Sequence, residues 1–112
     1  MTYVFDIDGT ICEKLKKGED YQLATPLTQR IKKVNELYEQ GHTIIYLTAR
    51  GMGRHKNNQK AAIKQFYSLT EKQLKEWNAQ YHELFLGKPA ADFYIDDKGL
   101  KDEDFFRNEI CP

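Results

Sequence analysis

The chain has 112 residues, a length typical of one compact domain. Hydrophobic residues make up 40% of it, which is enough to bury a core and excludes an intrinsically disordered chain. The 17 basic and 17 acidic residues give a net charge of zero, which argues against a non-specific nucleic-acid binder. No apolar run approaches the roughly 20 residues of a membrane span, and no signal-peptide pattern is present. We therefore expect a cytoplasmic protein that does not associate with membranes, in which Cys12 and Cys111 are free thiols.

The first ten residues carry the strongest chemical pattern. Thr2–Phe5 are β-branched or aromatic and predict a short buried strand, and Asp6 and Asp8 follow it before Gly9 and Thr10. Alternate residues of a strand point the same way, so both carboxylates converge at the carboxyl end, where open α/β sheets bind ligands. Neighbouring carboxylates repel unless a cation or a proton separates them, which favours a hard divalent cation such as Mg²⁺. A solvated turn after an edge strand is the alternative.

A strand–helix–strand unit comes next. The polar, lysine-rich stretch 11–24 predicts a flap or short hairpin. Thr25 and Pro26 are typical of a helix start, and Gly41 is typical of a helix end. Thr43–Leu47 are apolar on both faces, as in an interior parallel strand. These elements predict a right-handed βαβ unit.

A second helix is predicted after a basic loop. The loop 51–58 is rich in glycine, and a helical pattern begins near Gln59. Thr70 with Gln73 three positions on indicates the capping box of a separate second helical piece. Asn78 is suited to the left-handed position that ends a helix.

Two further strands are predicted in the last third of the chain. Leu84–Leu86 predicts a third strand and Asp92–Ile95 a fourth. Too few residues separate them for a crossover helix, but about five extended residues reach roughly 16 Å, enough for a direct parallel return. We expect the tail, with Leu100, Phe105 and Phe106, to pack against the sheet or a partner chain.

Four groups then fall at the carboxyl ends of the four predicted strands. They are Asp6 with Asp8, Thr48, Lys88, and Asp96 with Asp97. Each group alone is common at a strand end or in a turn. Their coincidence at one edge of a parallel sheet predicts a single site.

With these motifs the sequence resembles the haloacid dehalogenase (HAD) superfamily of phosphotransferases. The resemblance covers nearly the whole chain and includes the signature Asp-x-Asp-Gly-Thr at residues 6–10. It implies one HAD-like phosphatase domain over residues 1–112, with an α/β fold that is a Rossmann-like three-layer sandwich around a mainly parallel sheet. It also implies no cap domain, because only the short stretch 11–24 follows the first motif. The short spacing between Lys88 and Asp96 departs from the pattern of larger relatives.

The resemblance also implies residue roles. Asp6 is then the nucleophile that becomes phosphorylated, Asp8 the general acid and then base, and Thr48 and Lys88 bind the phosphoryl oxygens. Mg²⁺ is then held by Asp6, by Asp8 through its backbone carbonyl, and by Asp96 and Asp97. The predicted substrate-binding residues are Gly9, Thr10, Ala49, Arg50, Arg54 and His55.

The substrate is predicted from the resemblance and from the open site. The chain is similar to short bacterial phosphatases of capsule or lipopolysaccharide sugar synthesis, so we expect a small phosphorylated sugar or polyol as substrate. The open site also suits a large substrate or a neighbouring subunit that covers it. A solvated basic loop is the alternative for Arg50, Arg54 and His55.

Two other functions are alternatives to this one. A polynucleotide 3′-phosphatase fits the open site, but the neutral charge disfavours nucleic acid. A non-hydrolytic phosphoryl receiver domain needs its phosphoacceptor after a later, central strand, where this chain has Thr48-Ala49-Arg50 instead.

Overall fold

The computed structural model describes residues 1–16, 18 and 20–108. The prediction for Cys111 lies outside the described residues. The elements, in chain order, are β1 (Thr2–Phe5), a short 3-10 turn (Tyr21–Leu23), α1 (Thr28–Glu39), β2 (Thr43–Thr48), α2 (Gln59–Glu76), β3 (Glu83–Leu86) and α3 (Asp102–Asn108).

The three described strands form one parallel sheet in the order β1-β2-β3. Tyr3 pairs with Ile44 across β1 and β2, and Tyr46 pairs with Leu84 across β2 and β3. The parallel α/β arrangement and the central place of β2 confirm what the continuous apolar pattern of that strand predicts. Because the strands are parallel, their carboxyl ends meet at one edge of the sheet.

The hydrophobic core lies on one face of this sheet. Alternate strand residues such as Phe5, Tyr46 and Leu84 are buried, whereas Val4 and Phe85 on the opposite face are 57% and 49% exposed. The helices complete the core with Ile31, Val34 and Leu37 from α1, Phe66 and Leu74 from α2, and Phe105 from α3. The Phe105 ring lies 5.5 Å from the Phe5 ring, which confirms that the tail packs against the sheet.

The start of α1 differs from the prediction, whereas its end agrees with it. α1 begins at Thr28 and not at Pro26 with Thr25 as its cap, because Pro26 instead forms an isolated β-bridge with Cys12. Gly41 has φ 95°, and its N–H donates to Tyr38, which confirms the predicted end of α1.

The predicted break in the second helix is wrong. α2 is continuous, and Thr70 and Gln73 are buried within it instead of capping a new helix. Asn78 has φ 58° and confirms the predicted left-handed stop. None of the described helices combines the length and the hydropathy that a bilayer span requires.

The predicted fourth strand is also wrong for the described structure. Residues 92–95 form no strand, and Phe93 and Ile95 are 81% and 94% exposed. The chain after β3 is held beside β2, where the Lys88 N–H donates to the Thr48 carbonyl at 3.2 Å. This anchor keeps the chain at the carboxyl end of the sheet, so it does not return to begin a parallel strand.

Gly51 allows the loop after β2 to pass close to α2. It has φ 80°, and a Cβ there would lie 2.6 Å from the Phe66 ring and 3.2 Å from the Ala62 backbone. We predict that Gly51→Ala lowers the free energy of unfolding by roughly 2 kcal/mol, through overlap and backbone strain.

Gly53 provides the matched control for this substitution, because a Cβ there meets no atom within 4 Å. Urea unfolding should therefore place Gly53→Ala within about 0.5 kcal/mol of the wild type. Equal losses in the two variants would contradict the close approach at Gly51.

Candidate active site

The turn after β1 fixes the two acidic residues of the first motif. The N–H groups of Thr10 and Ile11 both donate to the Ile7 carbonyl, at 3.0 and 2.9 Å. Gly9 has φ 82° and donates its N–H to the Cys12 carbonyl. The chain therefore folds back directly after Asp8, and both carboxylates stay at the carboxyl end of the sheet.

Asp6 is held by its own backbone and by a lysine. Its Oδ1 accepts from the Ile7 N–H at 2.8 Å, and its Oδ2 lies 3.5 Å from Lys88 Nζ. Burial is the main cause that raises the pKa of Asp6, and the negative charge of Asp8 adds to it. Lys88 and the Ile7 N–H oppose this rise. Asp6 is thus a desolvated carboxylate that a nearby positive charge stabilises.

Lys88 reaches Asp6 although its spacing to Asp96 is short. Its backbone is tied to β2 through Thr48, and its Nζ lies 4.2 Å from the centroid of the Tyr94 ring. The Tyr94 hydroxyl donates to the Pro89 carbonyl, so the ring closes back over the lysine. These contacts hold the ammonium group at the strand ends.

Asp8 is clamped by a buried guanidinium. Arg50 Nε lies 2.9 Å from Asp8 Oδ2, and Arg50 Nη2 lies 3.0 Å from Asp8 Oδ1. The Arg50 side chain is 0% exposed and that of Asp8 is 22% exposed. The Cys12 thiol also donates to Asp8 Oδ1, at 3.4 Å. Such a two-point pair fixes both the position and the plane of the carboxylate.

The far side of Arg50 is bound by α2 and the flap. Its Nη1 donates to Thr70 Oγ1 at 3.2 Å and to Gln73 Oε1 at 2.5 Å. Its guanidinium carbon lies 4.9 Å from the centroid of the Tyr21 ring. Gln73 in turn donates to the Tyr21 carbonyl at 2.6 Å, so one amide joins α2, the flap and Arg50.

Sequence reasoning missed Thr70, Gln73 and Tyr21. The available signal was helical spacing, because Thr70 and Gln73 lie on the same face of α2 as Phe66 and Leu74. Two polar residues in an apolar stripe need buried partners, and Arg50 supplies them.

The predicted substrate-binding residues fall in different environments. Arg50 is turned inward and has no exposed side-chain surface with which to bind a substrate. Arg54 is exposed and its guanidinium lies over the Phe66 ring, whereas His55 is hydrogen-bonded to Gln65. Gly9, Thr10 and Ala49 are half-buried at the strand ends.

Thr48 lies at the predicted end of β2 but is not open to solvent. It is 1% exposed, and its hydroxyl accepts from the Arg50 N–H at 3.1 Å. Thr48 is therefore hydrogen-bonded both to the turn that carries Arg50, through its hydroxyl, and to Lys88 after β3, through its carbonyl.

Asp96 and Asp97 are not brought to the first acidic pair. Both are exposed, and Asp96 Oδ1 accepts from the N–H groups of Lys98 and Gly99, which lower the pKa of Asp96. Across residues 1–16, 18 and 20–108, no three acidic, histidine or cysteine side chains group as metal ligands. The role of Asp96 and Asp97 as Mg²⁺ ligands stays a prediction.

Comparison with known proteins supports the fold. No protein-family model and no curated protein matches the sequence. A solved structure from Vibrio cholerae, a structural-genomics target, has a TM-score of 0.84 and 26% identity, covering 93% of this chain and 85% of that one.

Two other solved structures are more distant. The D,D-heptose 1.7-bisphosphate phosphatase from B. bronchiseptica, complexed with magnesium and phosphate, has a TM-score of 0.55 and 12% identity, over 81% of this chain and 51% of that one. A chain of the Pnkp1/Rnl/Hen1 complex has a TM-score of 0.54 and 22% identity, over 94% of this chain and 33% of that one. With the parallel sheet described above, these likenesses confirm the predicted HAD-like α/β fold.

We predict that the pair formed by Arg50 and Asp8 stabilises the folded protein. Replacing Arg50 by Met leaves Asp8, Thr70 and Gln73 without their buried partner, and should lower the free energy of unfolding by about 3 kcal/mol. Arg54→Met is the control, because Arg54 is exposed and loses only its contact with Phe66, worth less than about 1 kcal/mol. Urea unfolding at pH 7 measures both, and similar losses would contradict the buried network.

Proposed function

We propose that this protein is a Mg²⁺-dependent phosphomonoester hydrolase that works through an aspartyl-phosphate intermediate on Asp6. The observation that carries the proposal is the arrangement at the end of β1. There, the Asp6 carboxylate faces Lys88, and the Asp8 carboxylate is paired with Arg50. Two neighbouring carboxylates in such different environments are suited to different roles in one reaction. A distant structural neighbour is itself a phosphatase bound to magnesium and phosphate.

Asp6 is suited to nucleophilic attack on phosphorus. Its Oδ2 is the oxygen that faces Lys88 and is 3.5 Å from the ammonium group. A phosphoryl group placed there would share that positive charge, which offsets its repulsion by the carboxylate. Attack forms the Asp6–phosphorus bond as the bond from phosphorus to the alcohol oxygen breaks.

Asp8 is suited to move the proton in both halves of the reaction. Oδ1 accepts from both Arg50 and Cys12, whereas Oδ2 accepts only from Arg50 among its described contacts, so Oδ2 keeps a lone pair for a proton. It would protonate the leaving alcohol and then take a proton from the water that hydrolyses the intermediate. Arg50 is the residue that holds Asp8 in the orientation both steps need.

Mg²⁺ fits the donor chemistry of the first motif. Asp6 is a partly desolvated carboxylate whose pKa is raised, and a cation beside it would offset that cost. The Asp8 carboxylate is occupied by Arg50, so the Asp8 backbone carbonyl is its candidate ligand atom. Asp96 and Asp97, which are exposed and do not group with this pair among the described residues, would have to approach it to complete the ligand set. When bound, the ion would neutralise charge on the phosphoryl oxygens.

The substrate proposed is a small phosphorylated sugar or polyol of the cytoplasm, in polysaccharide synthesis. The described chain has no cap domain over the strand ends, and Asp6 and Lys88 retain 34% and 20% exposure. The phosphoryl group of a small hydroxyl-rich molecule can reach them directly. The exposed guanidinium of Arg54 in the neighbouring loop is available for a second anionic or hydroxyl group.

A panel of phosphorylated substrates tests class and cofactor together. Sugar and polyol phosphates should be hydrolysed with Mg²⁺, turnover should stop in EDTA, and added Mg²⁺ should restore it. Oligonucleotides with a 3′-phosphate should be poor substrates, because the neutral chain lacks a broad basic surface. Full activity in metal-free buffer would contradict the role of Mg²⁺, and a preference for oligonucleotides that falls steeply with salt would contradict the substrate class.

Asp6→Asn separates activity from stability. The amide cannot form the intermediate, so turnover should fall to background. The pKa of Asp6 is raised above 3.8 in the folded state, so folding is favoured below that value and part of this stability is lost as pH rises through the folded pKa. At pH 7 in EDTA, Asp6→Asn should therefore unfold at an equal or higher urea concentration than the wild type.

Asp104→Asn is the matched control for this substitution, since its exposed carboxylate pairs with Arg107 within α3. It should keep its activity. Near-normal turnover in Asp6→Asn would remove this residue as the nucleophile, and a large loss of stability at pH 7 would contradict its desolvated state.

A further inference from the structure

We infer that Gln73 is a positioning residue for proton transfer, which acts on Asp8 through Arg50 without touching the substrate. The inference rests on the proposed function for the role of Asp8 as the group that moves the proton. The statement that Gln73 orients Arg50 rests only on burial, on hydrogen bonds and on the chemistry of the amide group.

Gln73 is a buried amide whose two polar atoms are both paired. It lies in the last turns of α2, is 5% exposed, and has the fully buried Leu74 beside it. Burial of an amide is unfavourable unless its oxygen and its NH₂ group both find partners. Here Oε1 accepts from Arg50 Nη1 at 2.5 Å and Nε2 donates to the Tyr21 carbonyl at 2.6 Å. The amide therefore has one preferred orientation.

The chemistry of the two partners determines that orientation. The guanidinium of Arg50 has donors and no acceptor, whereas the Tyr21 carbonyl accepts and has no donor. The amide oxygen of Gln73 must then face Arg50 and its nitrogen must face Tyr21, as the structure has them. A carboxylate, an ammonium group or an apolar side chain would leave at least one partner unpaired. Glutamine satisfies both partners at this position.

The guanidinium passes this orientation on to Asp8. It is planar, and its N–H groups form a rigid fork. Nη1 is held by Gln73 and, at 3.2 Å, by Thr70 Oγ1, while the Tyr21 ring lies 4.9 Å from the guanidinium carbon. Nε and Nη2 of the same plane then contact the two oxygens of Asp8 at 2.9 and 3.0 Å. Gln73 thus helps to set the plane in which the Asp8 carboxylate is held.

Loss of Gln73 should affect proton transfer and spare the other steps. Without it, Arg50 Nη1 keeps only the longer bond to Thr70, so the guanidinium can tilt and the Asp8 carboxylate can tilt with it. Proton transfer depends on a donor that is aligned and within hydrogen-bond reach. In the described part of the chain, Asp6 is paired with Lys88 and makes no hydrogen bond to Arg50. Nucleophilic attack and substrate binding should therefore change little.

Two substrates with different leaving groups test the inference in Gln73→Met. Glycerol phosphate, a polyol phosphate, has a leaving alcohol that needs a proton, so kcat should fall about tenfold. KM should stay within about twofold, because the buried Gln73 does not reach the substrate. With p-nitrophenyl phosphate the leaving group needs no proton, so release of nitrophenol in a single turnover should also stay within about twofold.

A merely structural role would give a different result. A partly unfolded variant loses the same fraction of both activities, because it has fewer working sites. Equal losses with the two substrates, or no loss with either, would overturn the inference.

Two further variants serve as controls. Gln73→Glu keeps an acceptor for Arg50 and loses the donor for the Tyr21 carbonyl, so its kcat for glycerol phosphate should stay within about threefold of the wild type. A loss as large as in Gln73→Met would assign the effect to the flap and overturn the inference. Lys72→Met changes the neighbouring, exposed position of α2 and should have wild-type kinetics. A selective loss there would overturn the inference as well.

A last measurement does not depend on activity. NMR of the ¹⁵N-labelled protein in EDTA follows exchange of the Arg50 Nε proton, which is protected where it faces Asp8. Gln73→Met should speed this exchange about tenfold, and Lys72→Met should leave it within about twofold. Unchanged exchange in Gln73→Met would overturn the inference whether or not the protein is active. Faster exchange in a protein that hydrolyses no phosphomonoester would contradict the proposed function alone.

Discussion

The pair formed by Arg50 and Asp8 is the constraint on which the rest of the site depends. A guanidinium with no exposed side-chain surface is costly to desolvate, and it is tolerated here because its N–H groups are directed at Asp8, Thr70 and Gln73. The pair joins the end of β1 to the turn after β2 and to the middle of α2. It therefore fixes the orientation of the Asp8 carboxylate beside Asp6.

The site combines a fixed part with an adjustable part. Asp8 is held from both sides, but Asp6 has one lysine at 3.5 Å and stays partly open. Lys88 itself depends on backbone anchors after β3 and on the Tyr94 ring. This difference is consistent with the proposed hydrolase. Asp8 would transfer protons from a fixed position, whereas Asp6 would have to be open enough for the phosphoryl group to enter and leave.

The sequence predicts the parallel sheet well, because apolar runs, left-handed stops at Gly41 and Asn78, and acidic residues after β1 are local features. The sequence-based prediction is wrong where one local sequence pattern is compatible with two different local structures. Thr70 and Gln73 match a capping box, but they also match a polar pair on a buried helix face, and only the position of Arg50 decides between them. Likewise, Phe93 to Ile95 have the pattern of a strand, but pairing depends on where the chain after β3 is anchored.

The central claim is that Asp6 accepts a phosphoryl group, and an Asp8→Asn variant tests it most directly. With p-nitrophenyl phosphate the leaving group needs no proton, so Asp8→Asn should release one burst of nitrophenol and then stall, because it lacks the base for hydrolysis. Mass spectrometry of the acid-quenched protein should then find the phosphoryl group on the peptide that contains Asp6. A quenched protein without a covalent phosphoryl group, or with one on a different peptide, would contradict the account.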